Sequence, residues 1–144
     1  LATLRRDGFA SMDAGSPQGA LTTRPVRFSG KHLFVNVDSV AGELAVHLLD
    51  SHGKLLAESA PIRTDSTLHQ VVWKAVPDLS SWAGRAVRFR FHLRHGRLYA
   101  FWVSPTPVGA SHGYVAAGGP GFTAPTDTAG SEIYRHCCAT LTRH

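Results

Sequence analysis

The sequence predicts an all-β protein, built as a two-sheet antiparallel β-sandwich of jelly-roll type. Three observations predict it: apolar and polar residues alternate with a period of two in many short runs, Gly and Pro separate these runs, and helical periodicity is almost lacking. The 144 residues include 14 Gly and 8 Pro, and 17% are charged. A chain of this length fits a single domain and can bury a core without disulfides or metals.

The strand pattern begins with a short candidate strand at 8–12, followed by an edge or broken strand around Pro25, which lacks a backbone donor. The runs KHLFVNVDS and GELAVHLLD alternate and are expected to pair with each other. The turn residues at 50–53 predict a hairpin with 54–58. Further strands are expected at 68–75 and 111–117, and DLSSWAG predicts one helical turn that closes at Gly84.

The stretch VRFRFHLRHGRLYAFWV organises the rest of the chain. Two alternating runs flank His95-Gly96, which predicts a β-hairpin in which Gly supplies the positive φ. In that register Phe89 faces Trp102 and His92 faces Tyr99. The core side of the hairpin is then formed by Val87, Phe89, Phe91, Leu93, Leu98, Ala100 and Trp102.

The other side of this predicted hairpin mixes cations with aromatic rings, whereas a solvent-facing sheet is ordinarily polar. Sugar rings stack on aromatic side chains, and their hydroxyls bind to planar or fixed donors and acceptors such as Arg and His. Five candidate ligand-binding residues lie on this side of the hairpin: Arg88, Arg90, His92, Tyr99 and Phe101. A sixth candidate is Trp73, on the strand expected at 68–75. The alternative is that another segment covers this side and makes Tyr99 and Phe101 part of the core.

Catalytic motifs are lacking, and we predict that the domain is not an enzyme. No GxSxG, HExxH or phosphate-binding glycine loop occurs, and a carboxylate pair of Glu43 with Asp38 has little support. Histidines on neighbouring strands could bind a metal, but we expect these imidazoles to be solvated surface groups. No cofactor is expected, apart from a structural calcium with Asp13 and Asp38 as loose candidates.

The net charge, the hydropathy and the cysteines indicate which classes of partner to expect. The formal net charge is +5 with nine His in addition. The basic residues are scattered, so we expect no nucleic-acid partner, and no apolar run is long enough to predict a membrane span. The adjacent Cys137 and Cys138 are expected to be free or intermolecular thiols.

Several separate segments carry a resemblance to a known family. They are LRRDGFASMDAG, LTTRPVRFSGKHLFVNVD, DLSSWAGRAVRFRFHLRHGRLYAFWVSP and GASHGYVAAGGPGF, and together they cover most of residues 4–122. The chain resembles the C-terminal, concanavalin-like β-sandwich of bacterial glycoside hydrolases whose catalytic part is a five-bladed β-propeller of the fructan-hydrolase and sialidase kind. The resemblance implies a non-catalytic accessory domain, extracellular or periplasmic, whose partners are a polysaccharide or oligosaccharide and the catalytic domain of the parent chain.

Two functions follow from these expectations. The first is a lectin-like carbohydrate-binding module that recognises a polysaccharide, with a fructan as one candidate. The alternative is a structural sandwich that packs on the propeller and stabilises it without binding sugar. The expected domain spans 1–122, and 123–144 is expected to be a tail that is flexible or foreign to the native chain. The charged cluster of Arg5, Arg6 and Asp7 is expected to pin the first strand through ion pairs rather than to contact a ligand.

Overall fold

The computed structural model describes residues 5–114 and 122–133, which form eight strands and one short 3₁₀ turn. The strands are β1 (Met12–Ala14), β2 (Gly19–Thr22), β3 (His32–Asp38), β4 (Glu43–Asp50), β5 (Leu55–Glu58), β6 (Asp65–Gln70), β7 (Val87–Arg94) and β8 (Gly96–Ser104), and the 3₁₀ turn is Ser80–Trp82. In the described part of the chain, no helix is long and apolar enough to cross a membrane.

The strands form two four-stranded antiparallel sheets. Sheet A has the order β1-β8-β3-β6, and sheet B has the order β2-β7-β4-β5. The inner faces of both sheets meet in one apolar core that includes Leu33, Val35, Leu44, Val46 and Phe89. The predicted all-β sandwich is therefore confirmed, and on β3, β4 and β7 the residues that the period-two alternation placed inward belong to its core.

The predicted hairpin of β7 and β8 is wrong, because the two strands lie in different sheets. Only His95 separates them, and this residue, not Gly96, has the positive φ, at 45°. A Cβ on Gly96 would lie 2.7 Å from the carbonyl oxygen of Asp38, so glycine is needed here for a close approach of backbones. A single connecting residue thus carries the chain across the core from sheet B to sheet A, where a two-residue turn would have paired the strands.

A β-bulge in β8 changes which of its side chains face inward. Val37 pairs with Leu98 while Asn36 pairs with Ala100, so Tyr99 is an extra residue on β8. Such an insertion shifts the alternation by one position. Phe101 therefore packs in the core, with its ring centroid 4.8 Å from that of Phe91. The prediction that Trp102 belongs to the core and Phe101 to the outer side is reversed.

Other local predictions have mixed outcomes. The β4–β5 hairpin is confirmed, with Gly53 at φ 90° and the Asp50 carboxylate accepting from two turn amides. The helical turn before Gly84 is also confirmed, and the Ser80 amide donates to Asp78. The expected pairing of KHLFVNVDS with GELAVHLLD is wrong, because β3 and β4 belong to different sheets. The strand expected at 111–117 extends partly outside the described residues, and its described part has one isolated bridge, at Tyr114.

Segments from both ends of the chain lie against the outer face of sheet A. Asn36, on the outer side of β3, is only 1% exposed, and it accepts a hydrogen bond from Arg5 and donates one to the carbonyl of Arg6. Trp102 stacks on Phe34 at 5.7 Å and donates from Nε1 to the carbonyl of Gly109. This face of the sandwich is therefore part of a second packed layer.

Part of the predicted tail belongs to this layer. Asp127 is 2% exposed; it accepts from the amides of Ser111 and Gly130 and forms an ion pair with Arg6. Ile133 is also buried. The stretch 123–133 thus packs on the domain rather than extending from it, while 134–144, including both cysteines, lies outside the described residues.

Candidate functional site

The six predicted ligand-binding residues occupy three different environments. Arg88, Arg90 and His92 lie on the outer side of β7, because the alternating Val87, Phe89, Phe91 and Leu93 are buried in the core. The remaining three residues do not share this surface. The composite face expected from the hairpin therefore does not form, since it required β7 and β8 to be neighbours in one sheet.

Trp73 and Phe101 are placed in the core. Trp73 is 7% exposed and belongs to the main apolar cluster. Phe101 lies between the sheets, in contact with the rings of Phe89 and Phe91. Neither ring can stack on a ligand without unpacking the sandwich.

Tyr99 lies on the opposite sheet, where it contacts Arg5, the first residue that the structure describes. The Arg5 guanidinium sits over the Tyr99 ring, 4.5 Å from its centroid. The same guanidinium donates to Asn36 and to Asp65, at 2.6 Å each. Arg5 therefore holds the N-terminal segment on sheet A, in agreement with the expected structural role of the cluster.

The surface that remains is the outer face of sheet B, which we call the basic strand face: Arg88, Arg90 and His92 of β7 with the side chains that neighbour them on β2, β4 and β5. His92 lies diagonally across from His47, with ring centroids 4.6 Å apart. His47 Nε2 is 3.9 Å from the Glu58 carboxylate, which also accepts from Lys74 at 2.6 Å. Diagonal and directly opposite pairs of this kind are in contact across neighbouring strands.

The charge states on this face follow from its geometry. The hydrogen bond from Lys74 is the main cause that lowers the pKa of Glu58, so this carboxyl is an anion at neutral pH. Desolvation, followed by the proximity of His47 and Arg90, lowers the pKa of His92, although Glu58 acts in the opposite direction. His92 is therefore a neutral imidazole at pH 7, and its Nε2 is enclosed without a hydrogen-bond partner.

The two arginines of the face are only lightly engaged. Arg90 donates from Nε to the hydroxyl of Thr22 at 2.9 Å, and Arg88 has a long contact of 3.5 Å to the carbonyl of Thr23. Neither forms an ion pair with a carboxylate in residues 5–114 or 122–133. Most of their guanidinium donors are thus available for a ligand.

Sequence reasoning missed the partners of β7 on this face. His47 alternates outward in its own run, but the contact with His92 could not be seen without knowing that β4 pairs with β7 in the register Ala45 to His92. Glu58 joins the face because β5 is the next strand, with His47 opposite it. Knowledge of the β4–β7 pairing was the missing signal.

No family model, curated protein or solved structure matches this chain. The resemblance to the accessory sandwiches of propeller hydrolases therefore stays a prediction, and the functional argument depends on the surfaces of the molecule itself.

The basic strand face carries several groups that can form hydrogen bonds with a ligand. Planar guanidinium groups and imidazoles can exchange hydrogen bonds with hydroxyls and anions, and the carboxylates beside them can accept from hydroxyls. The described residues contain no group of three or more His, Cys, Asp or Glu arranged to hold a metal ion. Of the two loose calcium candidates, Asp13 accepts from Ser11 and pairs with Arg97. The carboxylate of Glu43 is engaged by Arg63 and Arg94.

A second surface feature lies where the two sheets separate. An apolar cavity of about 120 Å³ lies between the edge strands β1 and β2. Its lining includes Ala14, Leu21, Phe91, Leu93 and Leu98. The side chain of Met12 at its rim is 56% exposed, and Phe9, three residues earlier, is 84% exposed. Exposed apolar side chains beside an apolar cavity are typical of a contact surface.

Proposed function

We propose that the protein is a non-catalytic carbohydrate-binding module that recognises a polysaccharide on the basic strand face. The observation that carries this proposal is the row of Arg88, Arg90 and His92 on one sheet face, where both arginines keep guanidinium donors that the described residues do not use. Saccharide hydroxyls need such donors and acceptors in fixed positions, and strands hold them more rigidly than loops do.

The ligand contacts follow from the chemistry of each side chain. The forks of Arg88 and Arg90 donate to hydroxyl or carboxyl oxygens. Glu58 accepts from hydroxyls, while the His92 ring, whose Nε2 is enclosed, packs against the ring of His47. Thr22, an exposed neighbour of Arg90, adds a hydroxyl at the edge of the face.

The wider setting is part of the same proposal. The nested pairing of β1 with β8, β2 with β7, β3 with β6 and β4 with β5 supports a jelly-roll wrapping. The resemblance described above supports an extracellular or periplasmic accessory domain of a bacterial glycoside hydrolase, and a catalytic propeller as its partner.

Affinity electrophoresis of the 144-residue protein in gels containing inulin, levan, xylan or polygalacturonate tests the proposal. We expect retardation in at least one gel, and loss of that retardation with Arg90→Ala. Tyr99→Ala is the matched control, because Tyr99 lies on the other sheet and its loss should leave retardation unchanged. Unaltered mobility of the wild-type protein in all polymers would refute carbohydrate binding, and release of reducing sugar from a polymer would refute the non-catalytic assignment.

A second function, a support domain for the propeller, is favoured by the apolar cavity between β1 and β2 with the exposed Met12 at its rim. A support domain needs an apolar surface that its partner covers, and burial of such area contributes about 25 cal/mol per Å². In this case Met12→Lys would weaken association with the catalytic domain, measured by calorimetry with the two domains mixed. The basic strand face would then have no ligand, which the gel experiment reports separately.

A further inference from the structure

The basic strand face carries more positive charge than its own carboxylates balance. Glu43 is shared between Arg63 and Arg94, and Glu58 is engaged by Lys74. Both carboxylates have a lowered pKa, chiefly through the hydrogen bonds from Arg63 and Lys74 respectively, and are therefore ionised. Arg88 and Arg90 add two further cations without adding an acid, so the face has an excess of cations over anions.

Among the described residues, this face has no aromatic ring on which a neutral sugar could stack. Beside the three β7 residues, the outward positions that flank them are Ala20 and Thr22 of β2 and Ala45, His47 and Leu49 of β4. None of these is Phe, Tyr or Trp, and the aromatic residues predicted for the site lie in the core or on sheet A. Affinity on this face must therefore come from charge and hydrogen bonds rather than from ring stacking.

We propose, as an extension of the carbohydrate-binding function, that the ligand is an anionic polysaccharide whose oxyanion is held by Arg88 and Arg90. The two residues are separated by one position on β7, which places their Cα atoms about 6.6 Å apart along the strand. Two guanidinium groups at this spacing can grip one oxyanion from two sides or bind the anions of a repeating chain. The shared chemistry is a carboxylate of a uronic acid or a sulfate ester, both of which accept bidentate hydrogen bonds from arginine.

The neighbouring groups favour an acidic saccharide over a nucleic acid. Sites for single-stranded nucleic acids combine cations with aromatic platforms for the bases, and the outward positions around Arg90 supply no such platform. Glu58 accepts hydrogen bonds from hydroxyls, which a sugar ring presents in larger number than a nucleotide does. The imidazole of His47, which packs 4.6 Å from that of His92, adds a polar group suited to the same hydroxyls.

Binding of the 144-residue protein to four probes at low salt tests the inference: polygalacturonate, dextran sulfate, neutral inulin and single-stranded DNA. We expect at least one acidic polysaccharide to bind about tenfold or more tightly than inulin, with affinity falling as salt rises. The double variant Arg88→Gln, Arg90→Gln should bind that polysaccharide about tenfold or more weakly, because each substitution removes charge-assisted hydrogen bonds to the anion. The acidic polymer that binds better identifies carboxylate or sulfate as the anion.

A charge-matched control uses two exposed cations that are not part of the basic strand face: Lys31, directly before β3, and Arg97 of β8. Lys31→Gln with Arg97→Gln removes the same net charge from the protein, and should change affinity less than about threefold. An equal loss in both double variants would mean attraction to the overall charge and would overturn the site. Far-UV circular dichroism and thermal melting confirm that each variant is folded.

The remaining outcomes separate this inference from the function on which it rests. Binding of inulin as tight as that of the acidic polymers would overturn the anionic ligand and leave a carbohydrate-binding module. Lack of binding to every polysaccharide would overturn both. Tighter binding of DNA than of any polysaccharide, with the same loss in the Arg88 and Arg90 variant, would also overturn both in favour of a nucleic-acid ligand.

Discussion

Replacing Phe101 with alanine distinguishes the observed path of the chain from a β7–β8 hairpin. In the sandwich the Phe101 ring lies 4.8 Å from Phe91 and 5.9 Å from Phe89, between the two sheets. Truncating a fully buried Phe costs about 3–5 kcal/mol, and Phe101 is partly buried, so we expect a loss of about 2–4 kcal/mol. A domain of this size has a free energy of unfolding of roughly 7–20 kcal/mol, so the variant should still fold.

Urea denaturation followed by tryptophan fluorescence measures this loss. The midpoint should fall while the slope with denaturant stays constant, which shows a change in stability rather than in the unfolded state. Tyr99→Ala is the neighbouring control, and we expect it to cost about 1 kcal/mol, because its ring contacts Arg5 on the outer face of sheet A. A loss below about 1 kcal/mol for Phe101→Ala would refute its placement in the core and restore the possibility of an exposed ring.

Three further predictions concern stability. Asp127→Ala should cost about 2–4 kcal/mol, because it leaves one buried and one partly buried amide without an acceptor, while an exposed-site control, Asp13→Ala, should change the unfolding midpoint little. Gly96→Ala should lower the melting temperature, since its Cβ would meet the Asp38 carbonyl at 2.7 Å, whereas an equal melting temperature would contradict the close approach. The pKa of His92 is lower in the folded protein than in the unfolded chain, so the unfolded chain binds a proton first as the pH falls. The free energy of unfolding should therefore decrease as the pH falls below 6.5. His92→Gln should reduce the dependence of the melting temperature on pH, and an unchanged slope would contradict a neutral His92.

The pKa of Asp127 shows how the second packed layer responds to acid. Burial alone would raise this pKa, but the amides of Ser111 and Gly130 and the Arg6 guanidinium outweigh it, and the folded pKa lies below the ordinary 3.8. The stabilisation by Asp127 is therefore complete above pH 3.8 and is lost as pH falls through the lower folded value. The C-terminal contact with sheet A should accordingly persist under mildly acidic conditions.

Much of the fold could be predicted because its signals are local. Alternation identifies which side of a strand is apolar, as the buried Val87, Phe89, Phe91 and Leu93 show. Turn chemistry identifies a tight connection, as at Asp50, where the side chain accepts from two amides of the turn. These features depend on a few consecutive residues, so the all-β class and the β4–β5 hairpin could both be derived from them.

The assignment of strands to sheets depends on contacts that are remote in sequence. A period-two pattern is the same whether the next strand pairs with its predecessor or crosses the core, and here the difference lies in one residue, His95, at φ 45°. The bulge at Tyr99 arises from pairing between β8 and β3, which are about 60 positions apart in the sequence. The residues of β8 alone do not indicate where the bulge lies. These two features together moved Phe101 inward and Tyr99 to the other sheet.

The part of the predicted site that survives is the part that belongs to a single strand. Arg88, Arg90 and His92 share a face of β7 whatever strand lies beside it, because successive side chains of one strand alternate regardless of its partners. A site that combines residues of two strands depends on which strands pair. The neighbour of β7 is β4 with His47, and not β8 with its aromatic residues. Compared with the predicted face, the observed one therefore presents imidazole and carboxylate groups beside the arginines in place of aromatic rings. The expected ligand changes accordingly, from a neutral sugar ring held by aromatics to an acidic chain held by arginines.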